Sequence, residues 1–291
     1  MLSNVTERPL GRIRPGGLLL FLPLMLNAAD LRIDHVTVCG ADLKAMQAKL
    51  TAIGIPSEYG GPHNNHASEM ALTSFPDGSY LEQIAIQPKG DPKAIDLHEW
   101  STQMKGNSGP CAWALRPADM PAEIARLKAN VAVSAPERAG RNRPDGTRLE
   151  WETATIDTEV RGTFFPFLIR DFTPRDARSM PSGKPTSQAY AGVSRVVIAV
   201  KDLNSAAARY QKVFGLPQPK RREDPALQAN ELYWDHVPVA LVSPANTQSW
   251  LNERLRTFGD GPCAFLLKSA KPLRAVAWFP ESKLGWRLGA E

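Results

Sequence analysis

Gly109-Pro110-Cys111-Ala112-Trp113-Ala114-Leu115 returns 152 positions on (109 to 261) as Gly261-Pro262-Cys263-Ala264-Phe265-Leu266-Leu267. The echo is not isolated. Val36-Thr37-Val38 with Asp42-Leu43 corresponds to Val196-Val197-Ile198 with Asp202-Leu203, here 160 positions on (42 to 202). Gly54-Ile55-Pro56 answers to Gly215-Leu216-Pro217, and Gln87-Pro88 to Ser243-Pro244. Matches in one order, at an offset that drifts by a few residues, mark a duplicated chain with small deletions.

A finer repeat lies within each half. Ile33 to Val38 is a short apolar run of strand character, and Asp42 stands where a helix N-cap would. Leu43, Met46, Leu50 and Ile53 follow at three- and four-residue steps, one apolar helix face, and Gly54 closes it. The second copy starts at Cys111, with Asp119 as cap, Pro121 in the first turn, and Ile124 and Leu127 facing inward. The third starts at Val196, with Asp202 as cap and Leu203, Ala207, Tyr210 and Phe214 on the buried face. The fourth starts at Cys263, and Pro272 is expected to open a helix carrying Leu273 and Val276. Strand-like segments follow each helix: Ser68 to Phe75 and Tyr80 to Ile86 around the Pro76-Asp77-Gly78 turn, then Arg148 to Ile156 and Phe164 to Ile169. The unit is strand, helix, then two or three antiparallel strands, and its fourth copy runs out of chain at Glu291. Asp91 to Lys105 and Gln248 to Phe258 occupy matching places and read as connecting helices. Residues 174–190 are rich in Pro, Ser, Gly and charge and read as a linker between residues 31–173 and 191–291.

With 291 residues, 43% hydrophobic and 22% charged, the chain has the composition of a globular protein of one large or two ordinary domains. The formal charge of +5 is spread thinly, Lys220-Arg221-Arg222 being its tightest run, which argues against nucleic acid as a partner. Cys39, Cys111 and Cys263 are odd in number and lack CxxC spacing, so they read as small buried hydrophobes rather than a disulfide framework or zinc knuckle. Residues 1–28 combine Arg8, Arg12 and Arg14 with the apolar run Leu18 to Leu26 and a small-residue exit, the pattern of a signal peptide. Its removal would leave a periplasmic or secreted protein with no membrane span; a start at Met25 would make the protein cytoplasmic.

A strand–helix–strand–strand–strand unit used in pairs resembles the vicinal-oxygen-chelate (glyoxalase/bleomycin resistance/dioxygenase) superfamily. The first half resembles its glyoxalase-like domain proteins through Ile33-Asp34-His35-Val36-Thr37-Val38, Gly60-Gly61-Pro62-His63, Asp77-Gly78-Ser79-Tyr80-Leu81-Glu82 and Arg143-Pro144-Asp145-Gly146-Thr147-Arg148-Leu149-Glu150-Trp151. The resemblance implies an α+β fold of about four βαβββ modules paired into curved mixed sheets, the last module incomplete. It also implies a trough in which first and last strands present ligands to a divalent metal (Zn, Ni, Mn or Fe) that a substrate chelates through neighbouring oxygens. Carried onto this chain, the metal ligands and catalytic groups are His35 and Glu82, with Ala112 at the position answering to His35 in the second unit. His63 and His66, before the next strand, and Arg148 and Glu150, on the opposite wall, are candidate ligand-binding residues. In the second half Arg195 and Ala264 fall at the His35 position, which leaves no metal site there.

Three functions stay open on these residues. One is lyase or isomerase chemistry on a small oxygen-rich molecule, with metal or with His35 and Glu82 as a metal-free base and orienting partner. Another is a sequestering protein that binds a small molecule in an apolar trough. The last is a scaffold or dimerisation module, working as a homodimer.

Overall fold

In the computed structural model, which describes residues 1, 29–157 and 160–291, strand β1 (Ile33–Gly40) is buried along its whole length, so both of its faces need cover. Period-two alternation sends Val36 and Val38 into the central core, while His35, Thr37 and Cys39 face the other way. That division sets the position of everything described below. The signal-peptide reading falls on residues 2–28, outside the described residues. Among the described residues, no helix is long and apolar enough to cross a membrane.

The first module continues with α1 (Leu43–Thr51), β2 (Glu58–Pro62), β3 (Ser68–Ser74) and β4 (Tyr80–Ile86). Short helices α2 (Pro92–Leu97) and α3 (Ser101–Lys105) lead to the second: β5 (Gly109–Leu115), α4 (Met120–Lys128), β6 (Glu137–Asn142), β7 (Arg148–Thr155) and β8 (Phe167–Asp171). After α5 (Arg175–Ser179), the third module comprises β9 (Tyr190–Ala199), α6 (Leu203–Phe214), β10 (Lys220–Asp224), β11 (Ala229–Tyr233) and β12 (Val239–Pro244). Helix α7 (Leu251–Phe258) precedes the fourth: β13 (Gly261–Ser269), β14 (Ala277–Trp278), α8 (Glu281–Leu284) and β15 (Arg287–Ala290). The two connector regions are helical, as their matching places in the repeat predict.

The eight strands of the first sheet run β2-β3-β4-β1-β5-β8-β7-β6, and the seven of the second run β10-β11-β12-β9-β13-β15-β14. Within each module the first strand pairs in parallel with the last, as β1 with β4 and β9 with β12. Modules join antiparallel through their first strands, β1 with β5 and β9 with β13. The fourth module lacks a counterpart of β6, so the expected incompleteness lies at the sheet edge. The two sheets pack back to back, with Val36, Leu81, Trp113 and Leu168 of the first meeting Val196, Ile198, Phe265 and Leu288 of the second in one core. Phe164 and Phe165 precede β8 rather than belonging to it, and pack edge-on or tilted against Tyr210 and Phe214 of α6.

Three of the four helix starts are built alike. The carboxylates of Asp42, Asp119 and Asp202 accept backbone N–H groups of Ala45, Ala122 and Ser205, satisfying donors that a helix start leaves open. At the fourth, Lys271 supplies no acceptor, and the helix expected after Pro272 does not form. Leu273 stays 43% exposed, with no face to bury against.

Two further expectations are corrected. Cys39 and Cys111 form a disulfide, and only Cys263 of the three is a free, buried thiol. The partners lie 72 residues apart, so their spacing carries no signal; the pairing of β1 with β5 brings their Cα atoms to 5.9 Å. Residues 174–190 do not run as a solvated tether. Arg178 of α5 is 4% exposed, Thr186 bonds Ser74, and Ser182 bonds Glu58, which pins the stretch to the first sheet.

The first sheet curls until its edges nearly meet. Arg141 of β6 donates from Nη1 to the Gly60 carbonyl of β2 at 2.6 Å, and Asn64 donates to the Gly140 carbonyl at 3.1 Å. Gly61, at φ 107°, makes the irregular turn of β2 at this seam, a backbone conformation that L side chains rarely adopt. The trough is thereby completed within one chain. In denaturant, thiol titration is expected to find one reactive cysteine before reduction and three after it; three before reduction would remove the disulfide.

Candidate functional site

The curled sheet encloses a cavity of about 320 Å³ whose lining includes His35, His63, Tyr80, Glu82, His98, Trp100, Arg141, Trp151, Arg161, Phe167, Ile169 and Arg178. That size suits a small molecule, at the low end of ligand pockets. Its polar groups come from strand faces held in register: His35 beside Tyr80 and Thr37 beside Glu82 on the parallel strands β1 and β4.

His35 is fixed on every side. Its ring stacks on Tyr80 at 4.7 Å and meets the edge of Phe167 at 5.4 Å. Its Nδ1 lies 2.6 Å from Oδ1 of Asp34. Asp34 is fully buried, and burial alone would push its carboxyl up. The guanidiniums of Arg178 and Arg175, with the His35 contact, overcome this and hold it well below the usual carboxylate range. An ionised Asp34 only accepts, so Nδ1 of His35 donates to it, and Nε2 faces Glu82, 3.8 Å from its Oε2. Arg178 reaches Asp34 at 3.0 Å, Tyr80 Oη at 2.5 Å and also Asp171, while Arg175 bonds both Asp34 and the Gly78 carbonyl. This buried cluster is charge-balanced: two arginines against two aspartates.

A second chain of hydrogen bonds fixes His63. The Trp100 N–H donates to Nδ1 of His98 at 3.1 Å, which makes Nδ1 an acceptor. Burial, then the neighbouring His63 and Arg161, push His98 down to about 4, so at neutral pH its proton sits on Nε2, directed at Ser68 Oγ. Asn65 also donates to that oxygen, since its own Oδ1 accepts from Ala67 and Ser68 N–H. Ser68 therefore gives its hydrogen to Nδ1 of His63 at 2.9 Å. His63, held below the usual imidazole value by burial, is left with an N–H on Nε2, 3.8 Å from Oε1 of Glu82. Glu82 itself accepts from Thr37 Oγ1 at 3.2 Å. The carboxylate is thus flanked by two oriented imidazoles, His35 held through Nδ1 by Asp34 and His63 held through Nδ1 by Ser68.

The family's metal positions follow from strand register. His35 answers to Ala112 and Thr37 to Ala114; as Thr37 sits beside Glu82, so Ala114 sits beside Phe167. The four positions are therefore His35, Glu82, Ala112 and Phe167, half of them without a donor atom. His35 and His63 approach different oxygens of Glu82. Among the described residues, no group of three or more His, Cys, Asp or Glu is placed to hold an ion. These residues do not fit a resident divalent metal, which needs at least three protein ligands in ordinary catalytic sites. In the second sheet the same register yields Arg195, Ala240, Ala264 and Gly289, and Arg195 is taken up by Glu291 at 3.1 Å.

The model of the glyoxalase-like domain family matches residues 33–214, more than half of the chain. This chain is a glyoxalase-like domain protein. It has the vicinal-oxygen-chelate fold, and solved structures resemble it at that level. A hypothetical protein from Staphylococcus aureus superposes with a TM-score of 0.61 at 14% identity, covering 89% of this chain and 98% of the other. A mutant of 4-hydroxymandelate synthase from Streptomyces coelicolor gives 0.54 at 14% identity, covering 87% and 78%. No curated protein sequence matches the chain.

Of the residues singled out in the glyoxalase-like sequence, His35, Glu82 and His63 meet in the cavity. His66 does not: it is exposed, in a left-handed turn at φ 56°. Arg148 and Glu150 also lie outside, paired with each other at 3.6 Å and 51% and 46% exposed. Strand alternation explains this, because the inward residues of β7 are Trp151 and Thr153. Asp34, Tyr80, His98, Arg141, Arg161 and Arg178 were not legible as site residues. Asp34 and Tyr80 lay inside quoted motifs, whereas Arg178 sat in the supposed linker.

Asp34→Asn should cost about 3–5 kcal/mol in denaturant unfolding at neutral pH, because it leaves two buried guanidiniums short of a partner. The wild type should lose this contribution as pH falls below the ordinary carboxyl value of 3.8, since the folded value is the lower one. His98 acts in a different window: its folded value near 4 lies below 6.5, so protonation favours the unfolded chain as pH drops between them. His98→Gln should flatten the stability–pH curve over that range; an unchanged slope would contradict the neutral-His98 arrangement.

Proposed function

We propose that the cavity of the first sheet carries out proton transfer next to a carbonyl or hydroxyl of a small oxygen-bearing molecule, chemistry of the isomerase or lyase kind, without a resident metal. The observation that carries this reading is Glu82, with an oriented imidazole 3.8 Å from each of its two oxygens. Glu82 or Nε2 of His35 takes a proton from substrate carbon, and the N–H of His63 supplies one to the substrate oxygen where charge develops. Groups of this kind, when positioned within reach, contribute about 10²–10⁴-fold each. The Asp34–Arg178 cluster keeps the His35 tautomer fixed, and Trp100, Trp151 and Phe167 keep the cavity poor in water. The disulfide further supports work in an oxidising compartment, in line with the signal-like N-terminal composition.

The test is deuterium exchange followed by NMR, using a panel of small α-hydroxy acids, α-keto acids and hydroxyaldehydes in D₂O, with elemental analysis of the same purified protein. The wild type should exchange at least one compound without stoichiometric metal, and His35→Ala and Glu82→Gln should each slow it by about 100-fold or more. Stoichiometric metal lost in both variants would overturn the metal-free reading. Tight binding with no exchange of any bound compound would leave a sequestering protein in its place.

A further inference from the structure

We infer that Arg141 is an anion-binding subsite, and that the ligand of this cavity is a small monocarboxylate with an apolar body; this rests on the reading of the cavity as the ligand site. The arginines that face the cavity differ in whether a carboxylate matches their charge. Arg178 is matched by Asp34 and Asp171, and Arg161 by Glu99. Arg141 is 2% exposed, and among the described residues it has no ion pair. Its one hydrogen bond is Nη1 to the Gly60 carbonyl, a neutral acceptor. A buried guanidinium without a carboxylate is costly, and such a cost persists where an outside anion completes the site. The planar fork still has Nε and Nη2 to offer, the pair of donors that a carboxylate takes in parallel.

Glu82 shares the cavity but is engaged by Thr37 and flanked by His35 and His63, with no contact to Arg141 within ion-pair distance. The apolar part of the wall is made by Met70, Leu72, Ile84, Trp151, Phe167 and Ile169. A ligand held by its carboxylate at the β6 seam would lay its body on these residues and present its middle to the Glu82 centre.

The experiment measures binding by calorimetry of phenylacetate, benzoate and 4-methylpentanoate, each against its own neutral amide. Wild type is expected to prefer at least one acid over its amide by about 10-fold or more, the range for a charge-assisted hydrogen bond in a buried site. Arg141→Met should abolish that preference, and Arg141→Lys should keep part of it. Because Arg141 also ties β6 to β2, Asn64→Ala provides the control: it loosens the same seam but keeps the charge, and should retain the preference. No acid preferred over its amide in wild type overturns the proposal, and so does a preference that survives Arg141→Met. Failure of the proton-transfer reading looks different, since acid binding would then follow Arg141 while no compound exchanges deuterium.

Discussion

The antiparallel pairing of β1 with β5 is the constraint on which the molecule turns. It joins two modules whose outer strands then curl toward each other, and it places the two cysteines of the disulfide side by side. Because β1 is buried on both faces, its alternation splits the protein in two. Val36 and Val38 belong to the core shared with the second sheet, and His35 and Thr37 belong to the cavity. A one-residue slip of this strand would exchange the two sets, sending valines into the cavity and an imidazole into the core. The register is therefore held by the hydrophobic effect on one side and by the chemistry of the cavity on the other.

The cavity joins the curled sheet of the fold to its own set of side chains. Two of the four register positions at which the fold's ligands would stand hold Ala112 and Phe167. The space where a second pair of donors would stand is filled by an aromatic ring that packs against His35. In exchange, the imidazole is oriented from behind by Asp34, whose charge is balanced by two arginines from a helix outside both modules. In the second sheet the corresponding positions hold an ion-paired arginine and small apolar residues, and the fourth module lacks the helix and the edge strand of the second. One face of that sheet covers the back of β1 and β5.

Much of this was readable along the chain. The repeated Gly-Pro-Cys segment, the capping aspartates and the three- and four-residue spacing of Leu43, Met46 and Leu50 and of Ala207, Tyr210 and Phe214 are local signals, governed by backbone hydrogen bonding and burial of one helix face. They carried the module count and the order of elements. The same logic failed at Pro272, where spacing was present but neither a capping carboxylate nor a surface to bury against existed. His35 and Glu82 could be placed because each sits at a fixed step from a cap or a turn.

The sequence by itself determined the βαβββ units, their pairing and the strand positions of His35 and Glu82, because these depend on periodicity and on contacts between near neighbours. The tertiary structure alone decided the disulfide, the orientation of the His35 and His63 rings, and the arrival of Arg178 and Arg141 at the cavity. Those depend on which distant strands become adjacent and on the burial of charge. A guanidinium in a Pro- and Ser-rich stretch looks solvated until the fold surrounds it with the carboxylates it must balance.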